Sequence, residues 1–445
     1  MHMSRKWFPN TPLGAFTPFL LLYLCLVLYL HTDTMYGDEA RYWEFAQNLL
    51  QGFYSPPAPD INLWNGPGYP LFLLPFAVLG LPLLAITLAN AVLYWASVLL
   101  LYHSLLGYVS RRTALLLSLF WAGYYIAFQE LPSLLSEPLT LFLVTAIAYC
   151  WSRAFREAST RWMVVAGLLL GWLTLTKIIF GYVVLVLLAG SVLYAGISRT
   201  ANARRLAYCF GVAFLLCVPY LLYTYSLTGR VLYWGNSGGM SLYWMSTPVE
   251  GEYGDWNNET FTANCGLPNM PCSAPLLAVH HQADIAYVSQ FVGVAKDDAY
   301  KRIAIDNIKA HPVKYVRNWL ANIGRLLFGI PASYFYQREA TLARILPNGV
   351  LLTFMLIAAV PTIRSWRRVA LEIRILVLLL LLYLGASSLL SAYPRQFYVV
   401  VPMLLLWIGY VLERSLRISL QIGSAGEAGC AKPPATGKEC NLTFL

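Results

Sequence analysis

The sequence predicts an all-α polytopic membrane protein of the order of ten or more transmembrane helices, with juxtamembrane helices and one larger loop on the outer side. Three observations carry this. Of 445 residues, 58% are hydrophobic and 12% charged, whereas a soluble domain carries about a quarter charged residues. Uncharged runs long enough to cross a hydrocarbon core of about 30 Å recur along most of the chain. The basic residues between them, namely Arg111 and Arg112, then Arg153, Arg156 and Arg161, then Arg199, Arg204 and Arg205, then Arg364, Arg367 and Arg368, and lastly Arg414 and Arg417, fall in alternate loops. That is the positive-inside pattern. It puts the N-terminus and these loops in the cytoplasm and leaves the segments 32–68 and 227–345 outside.

The spans are expected near 12–31, 83–105, 113–129, 136–152, 162–177, 179–197, 206–226, 346–362, 375–392 and 397–412. The first follows Arg5 and Lys6 and lacks a small-residue cleavage pattern, so it reads as a retained helix. Tyr69 to Tyr102 is too long for one upright helix, and Gly80-Leu81-Pro82 interrupts it, so its first part is expected to be re-entrant or interfacial. The organisation is a transmembrane module over 1–226 with a first outer loop at 32–68, an outer loop over 227–345, C-terminal transmembrane helices over 346–418, and a Gly-, Ala- and Pro-rich tail over 419–445 of disordered composition. The net charge of +10 does not point to nucleic acid, because it is spread among short loops.

Both long outer loops carry helical patterns. Within the first, Tyr42, Phe45, Ala46, Leu49 and Leu50 make one apolar face over Asp38–Gly52, and Gly52 supplies the stop. Within the second, Ile308, Val313, Val316, Trp319, Leu320, Ile323 and Leu327 suit a helix in the membrane interface over Asp298–Phe328, with Pro312 in the first turn of its second half. Cys25, Cys150, Cys209 and Cys217 lie in apolar runs as small buried hydrophobes. Cys265 and Cys272 sit in the outer loop, where an oxidising compartment permits a bridge without requiring one.

Several residues are candidates for chemistry. Asp38 and Glu39 are adjacent carboxylates at the start of a helix close to the membrane, where Asp38 is a candidate base and otherwise an N-cap. Glu39 otherwise compensates the helix dipole, and Arg41 otherwise pairs with Asp38 three residues earlier. Glu137 starts a span on the outer side, facing the same cavity, with Pro138 in its first turn as the ordinary alternative. Lys177 and Arg395 fall at outer ends of spans, where the positive-inside tendency does not place cations; the alternatives are snorkelling to headgroups and holding an anionic group. Arg230 and the His280-His281 pair are weaker candidates, and no spacing demands a metal, although a divalent ion remains compatible.

The string YGDEARYWEFAQNLLQG resembles the first outer loop of GT-C glycosyltransferases of the protein-mannosyltransferase and aminoarabinose-transferase type. NGPGYPLFLLPF, LLSEPLTLFL, GLLLGWLTLTK, PYLLYTYSLTGR, IKAHPVKYVRNWLANIGRLLFG and AYPRQFYVVVPMLLL follow in the same order, so the resemblance covers nearly the whole chain. It implies an inverting transfer of a sugar from a polyprenyl-phosphate donor to a glycan, a lipid or a Ser/Thr of an exported protein, at the outer face of the cytoplasmic membrane. In that reading Asp38, Glu39 and Glu137 serve the chemistry, and Arg41, Lys177, Arg230, Tyr393 and Arg395 bind substrate. A lipid-linked-sugar flippase or transporter should show paired repeats with broken helices and mid-membrane charges, which are not evident. A polysaccharide polymerase or ligase is the nearer alternative and differs in using a diphosphate-linked glycan.

Overall fold

A computed structural model describes residues 12–261, 274–334 and 339–415. Cys265, Cys272 and the tail from Ser419 lie outside the described residues. The described chain is helical throughout, without a strand. Seven helices are long and apolar enough to cross a membrane: Pro12–Leu30, Leu83–Leu105, Glu137–Arg156, Ile179–Ser198, Ala201–Thr228, Thr341–Arg364 and Leu371–Ser388. The chain is a multi-pass membrane protein.

All ten expected segments are largely helical, and two of them are divided. Thr160–Thr176 is an apolar helix of 17 residues. The segment 113–129 divides into Arg111–Ala122 and Tyr125–Phe128, because Gly123 closes the first piece and Tyr124 leaves helical geometry with its hydroxyl bonded to Asn348 Oδ1 at 2.5 Å. The last segment divides into Pro394–Tyr398 and Val401–Ser415. Every residue from Val401 to Val411 is buried, as expected of a helix apolar all round at the centre of a bundle. By contrast, Pro12–Leu30 buries only the stripe Phe16, Tyr23 and Val27 and leaves the rest outward. The piece before Gly80 is a separate short helix, Gly68–Val78, and Gly80 adopts φ +61° at the break.

The two long loops, expected on the outer side, pack on each other through Asn236, which bonds Leu63 N and Ile61 O, and on the end of Leu371–Ser388 through the Tyr315 hydroxyl at Leu389 O. Asp38–Leu50 is the expected helix; Tyr42, Phe45 and Ala46 are buried, Leu50 is exposed, and Gly52 stops it at φ +88°. The second loop contributes Gly238–Met245, Ala274–Val288, Gly293–Ala310 and Pro312–Phe328, whose own core includes Tyr243, Trp244, Val288 and Tyr300. The expected amphipathic segment is two helices, parted at His311, with Pro312 opening the second half as expected.

Pro312–Phe328 is inside out by the standards of a soluble helix. Val313, Val316 and Leu320 are exposed, while Asn318, Asn322 and Arg325 are buried. A polar stripe packed inward and an apolar stripe turned outward is the arrangement of a helix lying in the membrane interface.

Candidate active site

The site is built where the starts and ends of distant helices converge. Asp38 is the first residue of its helix, and the N-cap is Gly37; Asp38 is therefore not the cap. Glu39 takes the backbone role, its Oε2 accepting from the Tyr36 N–H at 3.1 Å and its Oε1 from the Leu134 N–H at 2.7 Å, which pins the first outer loop to the turn before Glu137. With the helix start satisfied this way, the Asp38 carboxylate is left to face cations. It is ion-paired with Arg41, and its Oδ2 accepts from the Arg395 guanidinium at 2.7 Å.

Glu137 is 1% exposed. Its Oε1 accepts from Lys177 Nζ at 2.7 Å and lies 3.8 Å from Arg395 Nε, while its Oε2 has no hydrogen-bond partner. A buried carboxylate is costly unless paired, so Glu137 fixes both cations. Lys177 and Arg395 thus turn inward to carboxylates; neither snorkels. The approach of Lys177 depends on two glycines of NGPG. A Cβ on Gly66 would come within 2.0 Å of the Leu175 carbonyl oxygen, and one on Gly68 within 2.5 Å of Thr176 N, so only bare backbone lets this turn lie on the end of Thr160–Thr176.

A hydrogen-bonded shell holds the cluster. Asn65 accepts from Arg41 Nε at 2.8 Å and donates to the Tyr42 hydroxyl at 3.1 Å, which is 3.1 Å from Ser136 Oγ beside Glu137. The Arg41 guanidinium lies over the Trp64 ring at 5.1 Å, and that of Arg395 over Tyr393 at 5.3 Å. Burial alone would raise the Asp38 carboxyl, but the charges of Arg395 and Arg41 outweigh it and hold the group below its ordinary value of 3.8. Asp38 is ionised and a weak base while both arginines hold it.

Two cavities flank this cluster. The larger, about 350 Å³, is bounded by Arg325, Arg344, Tyr393, Arg395 and Tyr398 with Glu130 and Asp255. Arg325 is 4% exposed, and its bonds go to the carbonyls of Tyr253 and Pro331 and to Asn322 Oδ1, with Nε unpartnered. Among the described residues no carboxylate forms an ion pair with Arg325 or Arg344. Burial depresses the Arg325 pKa, the mark of a positive charge without a compensating anion. The Tyr398 hydroxyl is also buried and unpartnered. Burial raises Glu130 above the ordinary carboxylate value, with Glu137 adding to the effect. The smaller cavity, about 270 Å³, begins at Arg41 and Trp64 and is closed by residues of the outer loops.

The structure brings together Asp38, Glu39, Arg41, Glu137, Lys177, Tyr393 and Arg395. It leaves Arg230 elsewhere, ion-paired with Asp298 and set over Tyr233 at 5.3 Å. The histidine pair separates: His280 is exposed, while His281 is buried between Glu252 Oε2 at 2.8 Å and the Tyr243 hydroxyl at 2.6 Å. Among the described residues no group of three His, Cys, Asp or Glu is placed to hold a metal ion. Arg325 was legible in the sequence, since Asn318, Asn322 and Arg325 fall at helical spacing opposite the apolar stripe. Arg344 and Tyr398 carried no such signal.

The model of the family described as dolichyl-phosphate-mannose-protein mannosyltransferase matches residues 66–223, in agreement with the resemblance read from the motifs. No curated protein matches the chain. Two solved structures are similar at low identity. The first is the Archaeoglobus fulgidus oligosaccharyltransferase tethered to an acceptor peptide, with 12% identity and a TM-score of 0.48 over 89% of this chain and 49% of that one. The second is ArnT from Cupriavidus metallidurans bound to undecaprenyl phosphate, with 15% identity and a TM-score of 0.39 over 90% of this chain and 78% of that one. The chain spans about half the length of the archaeal protein, and likenesses of this size carry no argument about chemistry.

Proposed function

We propose that this chain is an inverting glycosyltransferase that takes its sugar from a polyprenyl-phosphate donor at the outer face of the membrane. The observation that carries the reading is the pairing of one carboxylate, Asp38, with a neighbouring cavity whose cations exceed its anions. Arg325, Arg344 and Arg395 face Glu130 and Asp255 there, with Lys177 beside them through Glu137. A lipid phosphate is a suitable occupant because Arg344 belongs to a helix of membrane-spanning length, so the cavity adjoins the apolar part of the bundle.

In the proposed reaction the acceptor hydroxyl oxygen attacks the anomeric carbon from the face opposite the phosphate. The bond from that carbon to the phosphate oxygen breaks with its electron pair going to the phosphate, and the hydroxyl proton passes to Asp38. The leaving phosphate needs no acid, because a phosphate monoester has a second pKa near 6; it needs positive charge where its negative charge grows. Arg395 serves both partners. When the lipid phosphate draws Arg395 toward itself, Asp38 loses a counter-charge and becomes a better base, so the base gains strength with the donor in place.

The test is Asp38→Asn in purified protein, which is expected to bind polyprenyl phosphate as wild type does and to transfer no sugar. Normal turnover by that variant would remove Asp38 from the mechanism. The side of the membrane has its own test: a membrane-impermeant thiol reagent on intact cells should label single cysteines placed at 60 or 284 and spare one at 112. The reverse pattern would invert the topology.

A further inference from the structure

The smaller cavity reaches the cluster at Arg41, the ion-pair partner of Asp38, and differs from the larger one in its balance of charge and in the elements that line it. Its lining comes from the first outer loop and from Gly238–Met245 and Gly293–Ala310 with their flanking turns, and no membrane-spanning helix contributes. Its occupant therefore reaches it from water. At about 270 Å³ it lies below the range of about 300 to 1,000 Å³ typical of sites for drug-sized ligands, which leaves room for about one ring-sized unit.

The charges in it disfavour an anion. Both of its cations are already engaged, Lys296 Nζ with Glu259 at 2.7 Å and Arg41 with Asp38. Asp60 and Asp297 have no ion-pair partner among the described residues. The Asp297 Oδ1 accepts from the Gly239 N–H at 2.7 Å. The remaining walls are the ring of Trp64, partly exposed under the Arg41 guanidinium, and Tyr300, whose hydroxyl bonds Glu259 at 2.9 Å.

From this placement we infer that the smaller cavity is the acceptor site and takes a neutral or amino-bearing sugar unit of a glycan, delivering one hydroxyl to Asp38. This rests on the transferase reading above and adds the class of acceptor. A sugar ring offers an apolar C–H face and a rim of hydroxyls. Trp64 supplies a flat apolar partner for the face, and carboxylates accept from adjacent hydroxyls with bidentate capacity. Burial raises Asp297 to about 6, so near neutral pH it is mostly ionised and accepts from sugar hydroxyls, and it carries a proton to donate only below about pH 6. A phosphorylated acceptor would meet carboxylates with no free cation to offset them. A peptide has no strand edge to pair with among the described residues.

The test is saturation-transfer NMR on the full chain in lipid nanodiscs with four probes: methyl α-mannoside, methyl β-glucosaminide, glucosamine 1-phosphate and a Ser/Thr hexapeptide. Both glycosides are expected to bind, and the sugar phosphate at least tenfold more weakly. Trp64→Ala should lower glycoside affinity at least tenfold and Trp64→Phe should restore most of it. Asp60→Asn, an exposed change with little bearing on folding, should narrow the preference for the amino sugar. The proposal is overturned if no glycoside binds, if the peptide or the sugar phosphate binds best, or if Trp64→Ala binds as wild type. Affinity for polyprenyl phosphate, read on the same samples, keeps the two readings apart. Glycoside binding without lipid-phosphate binding would sink the donor assignment alone, and the opposite result would sink the acceptor assignment alone.

Discussion

The two cavities that flank the Asp38 cluster are similar in size and differ in the balance of charge. One carries three arginines against the carboxylates Glu130 and Asp255; the other carries the carboxylates Asp60, Glu259 and Asp297 against Arg41 and Lys296. Arg395 belongs to the first, Arg41 to the second, and both are paired with Asp38. On the proposed function, a single carboxylate at such a junction would sort two substrates by charge before any chemistry occurs, the side with excess arginine attracting a lipid phosphate and the other side disfavouring it.

The largest expected effect comes from the junction itself. Asp38→Asn should lower transfer by at least about a hundredfold, the lower end of what a positioned base contributes, with donor affinity unchanged in a lipid-phosphate binding assay. Loss of donor affinity instead would make Asp38 a holder of Arg395 and nothing more. On the membrane side, Lys177→Ala, Arg325→Ala and Arg395→Ala should each lower both donor affinity and turnover at least tenfold, about 1.4 kcal/mol, because a charge-assisted contact in a dry site exceeds the roughly 0 to 1 kcal/mol of an exposed pair. Arg325→Ala is the most informative. It removes a buried charge that no carboxylate ion-pairs with among the described residues, together with the donor to the Tyr253 and Pro331 carbonyls, so donor binding should fall whatever the change in thermal stability. A fall in stability with donor binding intact would make Arg325 a structural strut.

The last effect falls on stability and not on turnover, and lies in the smaller cavity. Asp297 has a folded pKa of about 6 against an ordinary 3.8, so its ionised form is disfavoured by folding. Below pH 3.8 it is protonated in both states and costs nothing; between pH 3.8 and 6 the unfolded chain sheds the proton first, and above pH 6 the full cost is present. Asp297→Asn should accordingly stabilise the protein at pH 8, by an amount on the order of 1 to 3 kcal/mol, and leave it unchanged near pH 3.8. Thermal melts at the two pH values read this directly, and stabilisation confined to low pH would reverse the assignment.

Much of the frame was legible because the bilayer writes it in composition. Uncharged runs marked the seven helices long and apolar enough to cross a membrane, and the helix after Gly37 announced itself by its apolar face and Gly52. Lys177 and Arg395 stood out as cations at span ends where topology alone did not want them, and Asp38 and Glu137 as carboxylates at helix starts. What the sequence hid was of two kinds. The division at Gly123 depends on where Tyr124 finds Asn348, more than two hundred residues away, and no local pattern reports that. The second kind is the fate of charges in the loop 227–345: Arg230 was a candidate and Arg325 was not, and only packing shows the first paired with Asp298 and the second buried among carbonyls. His280 and His281 repeat the lesson, since adjacent residues on one helix fall on an exposed and a buried face.

The most direct measurement is single-turnover transfer by the purified full chain, offered the same sugar on a polyprenyl monophosphate, on a polyprenyl diphosphate and on a nucleotide, with the Lys177→Ala/Arg395→Ala double variant beside wild type. The account predicts that the monophosphate lipid alone supports efficient transfer and that the double variant loses it. Equal transfer from the nucleotide sugar, a preference for the diphosphate, or full activity in the double variant would contradict it.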